Sequence, residues 1–408
     1  MFYRLEEPTA VKYVRNSLLA ETIFKGVNDL KAVDLAEGNI NLIFRVFSQS
    51  DPINKSVLLK QALPFSRRYP DFKMPQERAR LEYEMLTLED KYCPGLVPVV
   101  YKYDEEMFTN VMEDLNRHII MRYGLVKQVR YPKFAEHIGI FLARTLFYTS
   151  DFYLPSAEKK AMVKRFINPV MCKVTEDLVF TQPYKAHANN HWTKPLTPHV
   201  EKIHADDALR TEMLVLKEKF MADAEALSHG DLHTGSIMVN ETETKVIDPE
   251  FGYFGPIGFD IGAVLGNLLL SYASQGYHAS DVGIRQSYRQ WLLDTIVSVW
   301  EHFENEFRLL WETKLLKEEW ESQGMLDKTI RKLLQDTAGF GAAKAMRRIL
   351  GLAHVPDMEM IPDESARAVC ESQALNAAQA WVMHRYDVSS IYDLVEMIKS
   401  AVPDPAIG

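Results

Sequence analysis

Cysteine is scarce and unpatterned in this chain. Cys93, Cys172 and Cys370 stand far apart, odd in number, and no CxxC occurs. Isolated thiols make neither a disulfide framework nor a zinc knuckle, and they read as reduced thiols of a cytoplasmic protein. An excess of basic charge is also missing: 47 Lys plus Arg face 56 Asp plus Glu, a net charge of −9. That balance argues against nucleic acid as the main partner, because phosphate-backbone binding needs a basic face. It leaves room for a small phosphate-bearing ligand, since a local basic pocket can sit on an acidic protein. Long apolar runs are absent. The most apolar stretch, IGAVLGNLLLSYA (261–273), is too short to span a bilayer. The opening MFYRLEEPTAVKYV has no basic stretch followed by an apolar core, so no signal peptide is expected. Internal repeats and low-complexity linkers are lacking too.

What is present is enough apolar sequence for sizeable cores. Apolar residues make up 47% of 408 positions and charged ones 25%, an ordinary globular balance at a length that suggests two or three domains. The early chain carries strand signals: LKAVDLA (30–36), LIFRVFS (42–48), SVLLKQA (56–62), LVPVVYKY (96–103) and MFTNVMEDL (107–115). Each is rich in β-formers and bounded by turn residues. Between the third and fourth, 74–92 has helical spacing, with Pro75 near its start. The expectation is an antiparallel sheet with one main helix over residues 1–115. Beyond it, 134–150, 206–227, 259–274, 287–307, 325–353 and 364–386 all show helical periodicity. One exception interrupts them: SIMVN-ETET-KVID (236–248) reads as a hairpin. The fold class is therefore α+β, a small β-rich lobe at 1–115 and a large helical lobe at 116–408.

The chemistry gathers around HGDLHTGS (229–236) and KVIDPEF (245–251). The first lies between a helix and the hairpin, a loop held by rigid elements, where catalytic residues are commonly mounted. Its Asp231 and the Asp248 that follows the second hairpin strand can face one pocket. In phosphoryl transfer one carboxylate contacts the attacking hydroxyl and another holds Mg2+ on the nucleotide phosphates. Glu250 offers a second oxygen ligand of the kind hard cations prefer. His229 and His233 are spaced i, i+4, but Gly230 and Gly235 favour a loop over a helix, and no HExxH accompanies them, so zinc is disfavoured. A plain polar turn is the competing reading of the octapeptide alone. In the first lobe, Lys60 sits inside an apolar strand and Glu82 on the helix after it. A strand Lys paired with a helix Glu is how kinases position the α- and β-phosphates; a snorkelling Lys and a solvated Glu are the bland alternatives. EGNIN (37–41), with Gly38, Asn39 and Asn41, lies between two strands, where its backbone amides could cover phosphates. VMEDL (111–115) would be the hinge, with the backbone of Glu113 and Leu115 at the adenine edge.

These stretches, with GPIGFDIGAVLGN (255–267), AMRRILGLAHV (345–355), RARLEYEML and LVPVVY, resemble the 5-methylthioribose kinase family. That family belongs to the broader aminoglycoside- and choline-kinase-like phosphotransferases, and the resemblance covers essentially the whole chain. It implies a bilobal protein-kinase-like fold, ATP as co-substrate, Mg2+, and phosphorylation of the 1-hydroxyl of 5-methylthioribose in methionine salvage by a cytoplasmic homodimer. Position by position, it implies that Asp231 is the catalytic aspartate, Asp248 and Glu250 the metal-binding DxE, and Lys60 and Glu82 the nucleotide-phosphate pair. Arg347 and Arg348 match the paired arginines at the sugar site. Ser236 departs from the metal-binding Asn of protein kinases, which moves that duty toward Glu250. The phosphate loop lacks the full glycine-rich pattern. Adjacent arginines point about 100° apart on a helix, so only one faces a given spot unless the helix end opens into a pocket. The insert at 151–205, with Trp192, is the segment expected to cover the site. Rival readings are a kinase of choline, an amino alcohol or an aminoglycoside, and a nucleotide-binding pseudokinase.

Overall fold

Alternation sets the sheet. In the computed structural model of the protein, which describes residues 2–35, 40–67, 71, 73–322 and 324–403, LIFRVFS forms β2 (Leu42–Ser48) and buries every second side chain. That is the period-two pattern of a strand with one face on a core. β2 pairs antiparallel with β1 (Leu30–Asp34) and with β3 (Ser56–Gln61). β3 pairs with β5 (Thr109–Glu113), and β5 with β4 (Val100–Asp104), so the order is β1-β2-β3-β5-β4. Beyond the one main helix expected, α2 (Arg78–Tyr92), a short helix α1 (Glu7–Arg15) precedes the sheet. Ala10 and Val14 of α1 join Phe44, Val46, Val57 and Leu59 in one core, each large apolar side chain contributing about 1.5–3 kcal/mol by leaving water. Lys60 has the opposite parity to Val57 and Leu59, and so points away from that core to the other face of the sheet.

The chain divides into two compact units: Met1–Ile119 with Lys245–Gly252, and Ile120–Thr244 with Tyr253–Gly408. The return of Lys245–Gly252 to the sheet unit differs from a single boundary after residue 115. Its cause is backbone pairing and packing: Val246 N donates to Leu96 O at 2.7 Å, Lys245 Nζ to Val97 O at 3.3 Å, and the one-turn 3-10 segment Pro249–Phe251 packs against α2.

The second unit is helical, as its periodicity indicates. After the two-residue strand β6 (Ile119–Ile120) come α3 (Met121–Val126), α4 (Phe134–Tyr148), α5 (Ser156–Arg165), α6 (Pro169–Phe180), α7 (Thr197–Ala205) and α8 (Asp207–Ala222). In chain order three short strands follow, β7 (Ala226–Ser228), β8 (Ile237–Val239) and β9 (Thr244–Val246), the last entering the sheet unit at Lys245, and then β10 (Tyr253–Gly255). The remainder is α9 (Gly258–His278), α10 (Val282–Lys314), α11 (Lys317–Trp320), α12 (Met325–Leu350), α13 (Pro356–Glu359), α14 (Glu364–Met383) and α15 (Ile391–Ala401). Every residue of α9 from Gly258 to Gln275 is buried, which is why its sequence is apolar all round rather than striped. α9 and α12 meet backbone to backbone. A Cβ on Gly262 would lie 2.6 Å from Gly341 N, and one on Gly266 2.4 Å from Gly341 O. The polar turn of the hairpin closes through Asn240, whose Oδ1 accepts from the Thr242 and Glu243 amides at 2.9 and 2.8 Å. Among the described residues no helix is long and apolar enough to cross a membrane.

Candidate active site in two charge clusters

In the sheet unit the buried Lys60 ammonium sits among carboxylates. Lys60 Nζ donates to Glu82 Oε1 at 2.7 Å and to Asp248 Oδ1. Glu82 Oε2 also accepts from Asn110 Nδ2 at 3.2 Å, and Asn110 lies directly across the sheet from Lys60. Burial alone would depress the Lys60 ammonium, but Asp248, Glu82 and Glu250 outweigh it and hold it above its ordinary value. Burial raises Glu82 to about 7, against the opposing pull of Lys60, with Asp248 and Glu250 adding to the rise. Asp248 adopts a left-handed backbone, φ 65°, sparsely populated by non-glycine residues and frequent at functional sites. The side chain of Asp248 is 42% exposed, whereas Glu250 is buried. Glu250 Oε2 accepts from Asn41 Nδ2 at 3.1 Å and lies 3.2 Å from Arg78 Nε. Arg78 in turn reaches Asn41 Oδ1 at 2.8 Å and Leu63 O at 2.9 Å.

Asp248 and Glu250 suit a hard cation in donor type, two carboxylates from one three-residue segment. No cluster of three or more His, Cys, Asp or Glu able to hold a metal occurs among the described residues. Two carboxylates are what Mg2+ takes when nucleotide phosphates and water complete its shell.

The helical unit inverts the arrangement, with one carboxylate among cations. Asp231 Oδ1 accepts from Lys344 Nζ at 2.8 Å and lies 3.7 Å from Arg347 and 3.9 Å from Arg348. Asp231 Oδ2 lies 3.3 Å from His233 Nε2. Burial opposes the Asp231 charge, but Lys344, His233 and Arg348 overcome it and pull the carboxyl well below the usual range. His233 Nδ1 accepts the Gly235 amide at 3.0 Å, which places the ring proton on Nε2, facing Asp231. Burial, reinforced by Arg348 against the pull of Asp231, lowers His233 to about 3, so it is a neutral donor.

The loop that carries Asp231 is tied down on several sides. Asp260, in the first turn of α9, accepts the His229 and Gly230 amides at 2.6 and 3.1 Å. Ser236 Oγ donates to Asp231 O at 3.1 Å. Arg122 donates through its backbone to Thr234 O at 3.2 Å and through Nε to Thr234 Oγ1 at 3.1 Å. It also reaches Asn267 Oδ1 at 2.7 Å and lies 3.3 Å from Asp357. His229 Nδ1 accepts the Asp231 amide at 3.3 Å. Both histidines thus accept a loop amide through Nδ1.

Of the residues singled out in the sequence, Lys60, Glu82, Asp248, Glu250 and Asn41 come together in the sheet unit, and Asp231, Arg347 and Arg348 in the helical unit. Asn41 contacts Glu250 and Arg78 through its side chain. Gly38 and Asn39 lie outside the described residues. Glu113 N donates to Val99 O at 2.8 Å, and Leu115 O accepts from His118 N at 2.9 Å. Among the described residues the Leu115 amide has no backbone partner. Both arginines approach Asp231 from the last turn of α12, which ends at Leu350. Trp192 packs edge-on against His204 and donates to Thr197 Oγ1 at 3.1 Å. Lys344, Arg78, Arg122 and Asp260 were not singled out. Lys344 left a signal: with Arg347 and Arg348 it makes an i, i+3, i+4 set on one helix face. The others are joined only by contacts distant in sequence.

Residues 65–301 match the phosphotransferase enzyme family. The chain is 40% identical over 383 residues to the methylthioribose kinase of Geobacillus kaustophilus, covering 93% of each chain. It is 39% identical over 415 aligned positions to methylthioribose kinase 1 of Oryza sativa subsp. japonica, covering 98% of this chain and 96% of the relative. The methylthioribose kinase of Escherichia coli O45:K1 is 40% identical over 384 residues, 90% of each. Among solved structures, a choline kinase from Cryptosporidium parvum aligns at 13% identity and a TM-score of 0.46, over 97% of this chain and 98% of that one.

Proposed function

The chain belongs to the methylthioribose kinases of the phosphotransferase enzyme family, and on that premise we propose that it transfers the γ-phosphoryl group of ATP to the 1-hydroxyl of 5-methylthioribose. The observation that carries the chemistry is the loop carboxylate Asp231, held ionised by cations of one helix face. The relatives' shared name supports the acceptor.

Asp231 accepts a hydrogen bond from the sugar hydroxyl and orients it for in-line attack. As the bond from O1 to the γ-phosphorus forms, the bond from that phosphorus to the bridging oxygen breaks, and ADP leaves with the electron pair. The hydroxyl proton passes to Asp231. Lys60, oriented by Glu82, binds the phosphates of the departing ADP. Arg347 and Arg348 bind sugar hydroxyls and offset charge on the transferred group. The Leu115 amide is the donor offered to the adenine edge. Asp248 and Glu250 would hold Mg2+, which when bound neutralises charge on the phosphates. Three cations around one carboxylate suit a neutral polyol better than choline or an aminoglycoside. The product returns the methylthio group toward methionine.

The test is ADP release with Mg-ATP and a panel of 5-methylthioribose, ribose, choline and kanamycin. Turnover with methylthioribose above the others is expected. ADP with choline but not methylthioribose would sink the acceptor, and no acceptor-dependent ADP at all would leave a nucleotide-binding protein without transferase activity.

A further inference from the structure

We propose that Lys344 is a positioning residue for catalysis, holding Asp231 as an aimed, acceptor-only carboxylate that takes the substrate proton late in the transfer. The inference rests on Asp231 being the base of the reaction proposed above.

The geometry is specific to this lysine. Lys344 is 3% exposed, and its Nζ sits 2.8 Å from Asp231 Oδ1, nearer than either arginine. Its own surroundings aim it. Nζ lies 4.7 Å from the centre of the Phe259 ring and 3.4 Å from Gly230 O. Phe259 precedes Asp260, the residue that clamps the loop amides before Asp231. Lysine and loop are therefore referenced to the same turn of α9. The distance between them is set by the backbone contact of Gly262 and Gly266 with Gly341, one helical turn before Lys344. On the other side His233 Nε2 faces Oδ2, so both carboxylate oxygens are oriented, one by a charge and one by a neutral donor.

This arrangement makes Asp231 a weak base. The groups facing it are Lys344, Arg347 and Arg348 from α12, His233 from its own loop, and Arg122 from α3. Burial pushes the Lys344 ammonium down and the two arginines add to that, while Asp231 pulls it back up. A carboxylate so stabilised does not remove a proton from an ordinary sugar hydroxyl. It can accept that proton once the new bond to phosphorus has made the hydroxyl acidic, which fits a loose phosphoryl-transfer transition state. Removing Lys344 would leave orientation to His233 and two more distant guanidinium groups.

The test uses the full chain with 13C-labelled aspartate, the Asp231 carboxyl resonance being assigned from Asp231→Asn. Lys344→Met is expected to raise the pH at which that resonance titrates by about 1–3 units. The acid limb of kcat should move up by the same amount, and kcat at neutral pH should fall about 10²-fold with the KM for ATP unchanged. Lys344→Arg, which keeps the charge, is expected to keep the acid limb and recover most of the rate. Should the Met variant not fold, Lys344→Gln retains a donor without the charge and is read the same way. A folded Met or Gln variant whose Asp231 titration and acid limb stay where they were overturns the proposal, whatever its rate. Absence of turnover with methylthioribose in the unmodified protein would remove the reaction, not this result, since the carboxyl titration is read without substrate.

Discussion

The two charge clusters are built in opposite senses. In the sheet unit one ammonium, Lys60, is shared among Glu82, Asp248 and the nearby Glu250. In the helical unit one carboxylate, Asp231, is shared among Lys344, Arg347 and Arg348. The sheet cluster carries surplus negative charge and the helical cluster surplus positive charge. Surplus carboxylates suit a divalent cation, and surplus cations suit hydroxyls and a phosphoryl group gaining charge. Burial enters both in the same way, disfavouring the charged form of each central group, and in both the surrounding counter-charges win. Charge distribution rather than composition separates the two clusters in a chain whose net charge is mildly acidic.

Substituting the centre of each cluster breaks the comparison most directly. Asp231→Asn is expected to lower kcat about 10³-fold while calorimetry still detects ATP binding; near-normal turnover would take Asp231 out of catalysis. Lys60→Met should lower kcat/KM for ATP about 10²-fold with methylthioribose binding little changed. If instead the acceptor KM moved and the ATP term did not, the division of labour would be wrong.

Smaller effects sharpen the picture. Gly266→Ala forces a methyl group against Gly341 O, and thermal or urea unfolding should show a loss of about 1–3 kcal/mol. His233 supplies a pH dependence confined to the acceptor-side cluster. Its ordinary value of 6.5 falls to about 3 in the fold, so the unfolded chain takes up this proton first. The stability it contributes is present above 6.5 and is lost progressively as pH falls toward 3. Over the first pH unit below 6.5 the loss is about 1 kcal/mol. Melting curves of His233→Asn should lack that component, and an unchanged slope would mean that the ring already carries charge in the fold.

Much of the architecture was legible before any contact was known. LIFRVFS alternates because one face of β2 lies on a core, and the apolar run at 261–273 is a helix buried on all sides. Asp231, Asp248 and Glu250 stood out because a loop-hairpin-DPE arrangement is local, and Lys60 because it is an ammonium inside an apolar strand. Helix α1 was missed; it is short, and its place against the sheet is a tertiary fact. Arg78 and Arg122 were invisible for a related reason. Arg78 meets a partner at position 250 and Arg122 one at position 357, and no local pattern connects such positions. The two adjacent arginines, at 3.7 and 3.9 Å from Asp231, sit in the last turn of α12, the helix-end case that the 100° rule had set apart.

Period, composition and motif are properties of neighbouring residues, and from them the sequence by itself determined an α+β chain and a sheet followed by helices, with Asp231, Asp248, Glu250 and Lys60 marked out by their local settings. Only the tertiary structure decided which charge faces which: that Lys60 is outnumbered by carboxylates, that Asp231 is outnumbered by cations, and that Lys344 stands nearest of all. Coulomb energy and desolvation depend on distance and burial, and these are set partly by contacts such as Lys60 with Asp248 and Asp231 with Lys344, more than a hundred residues apart in each case.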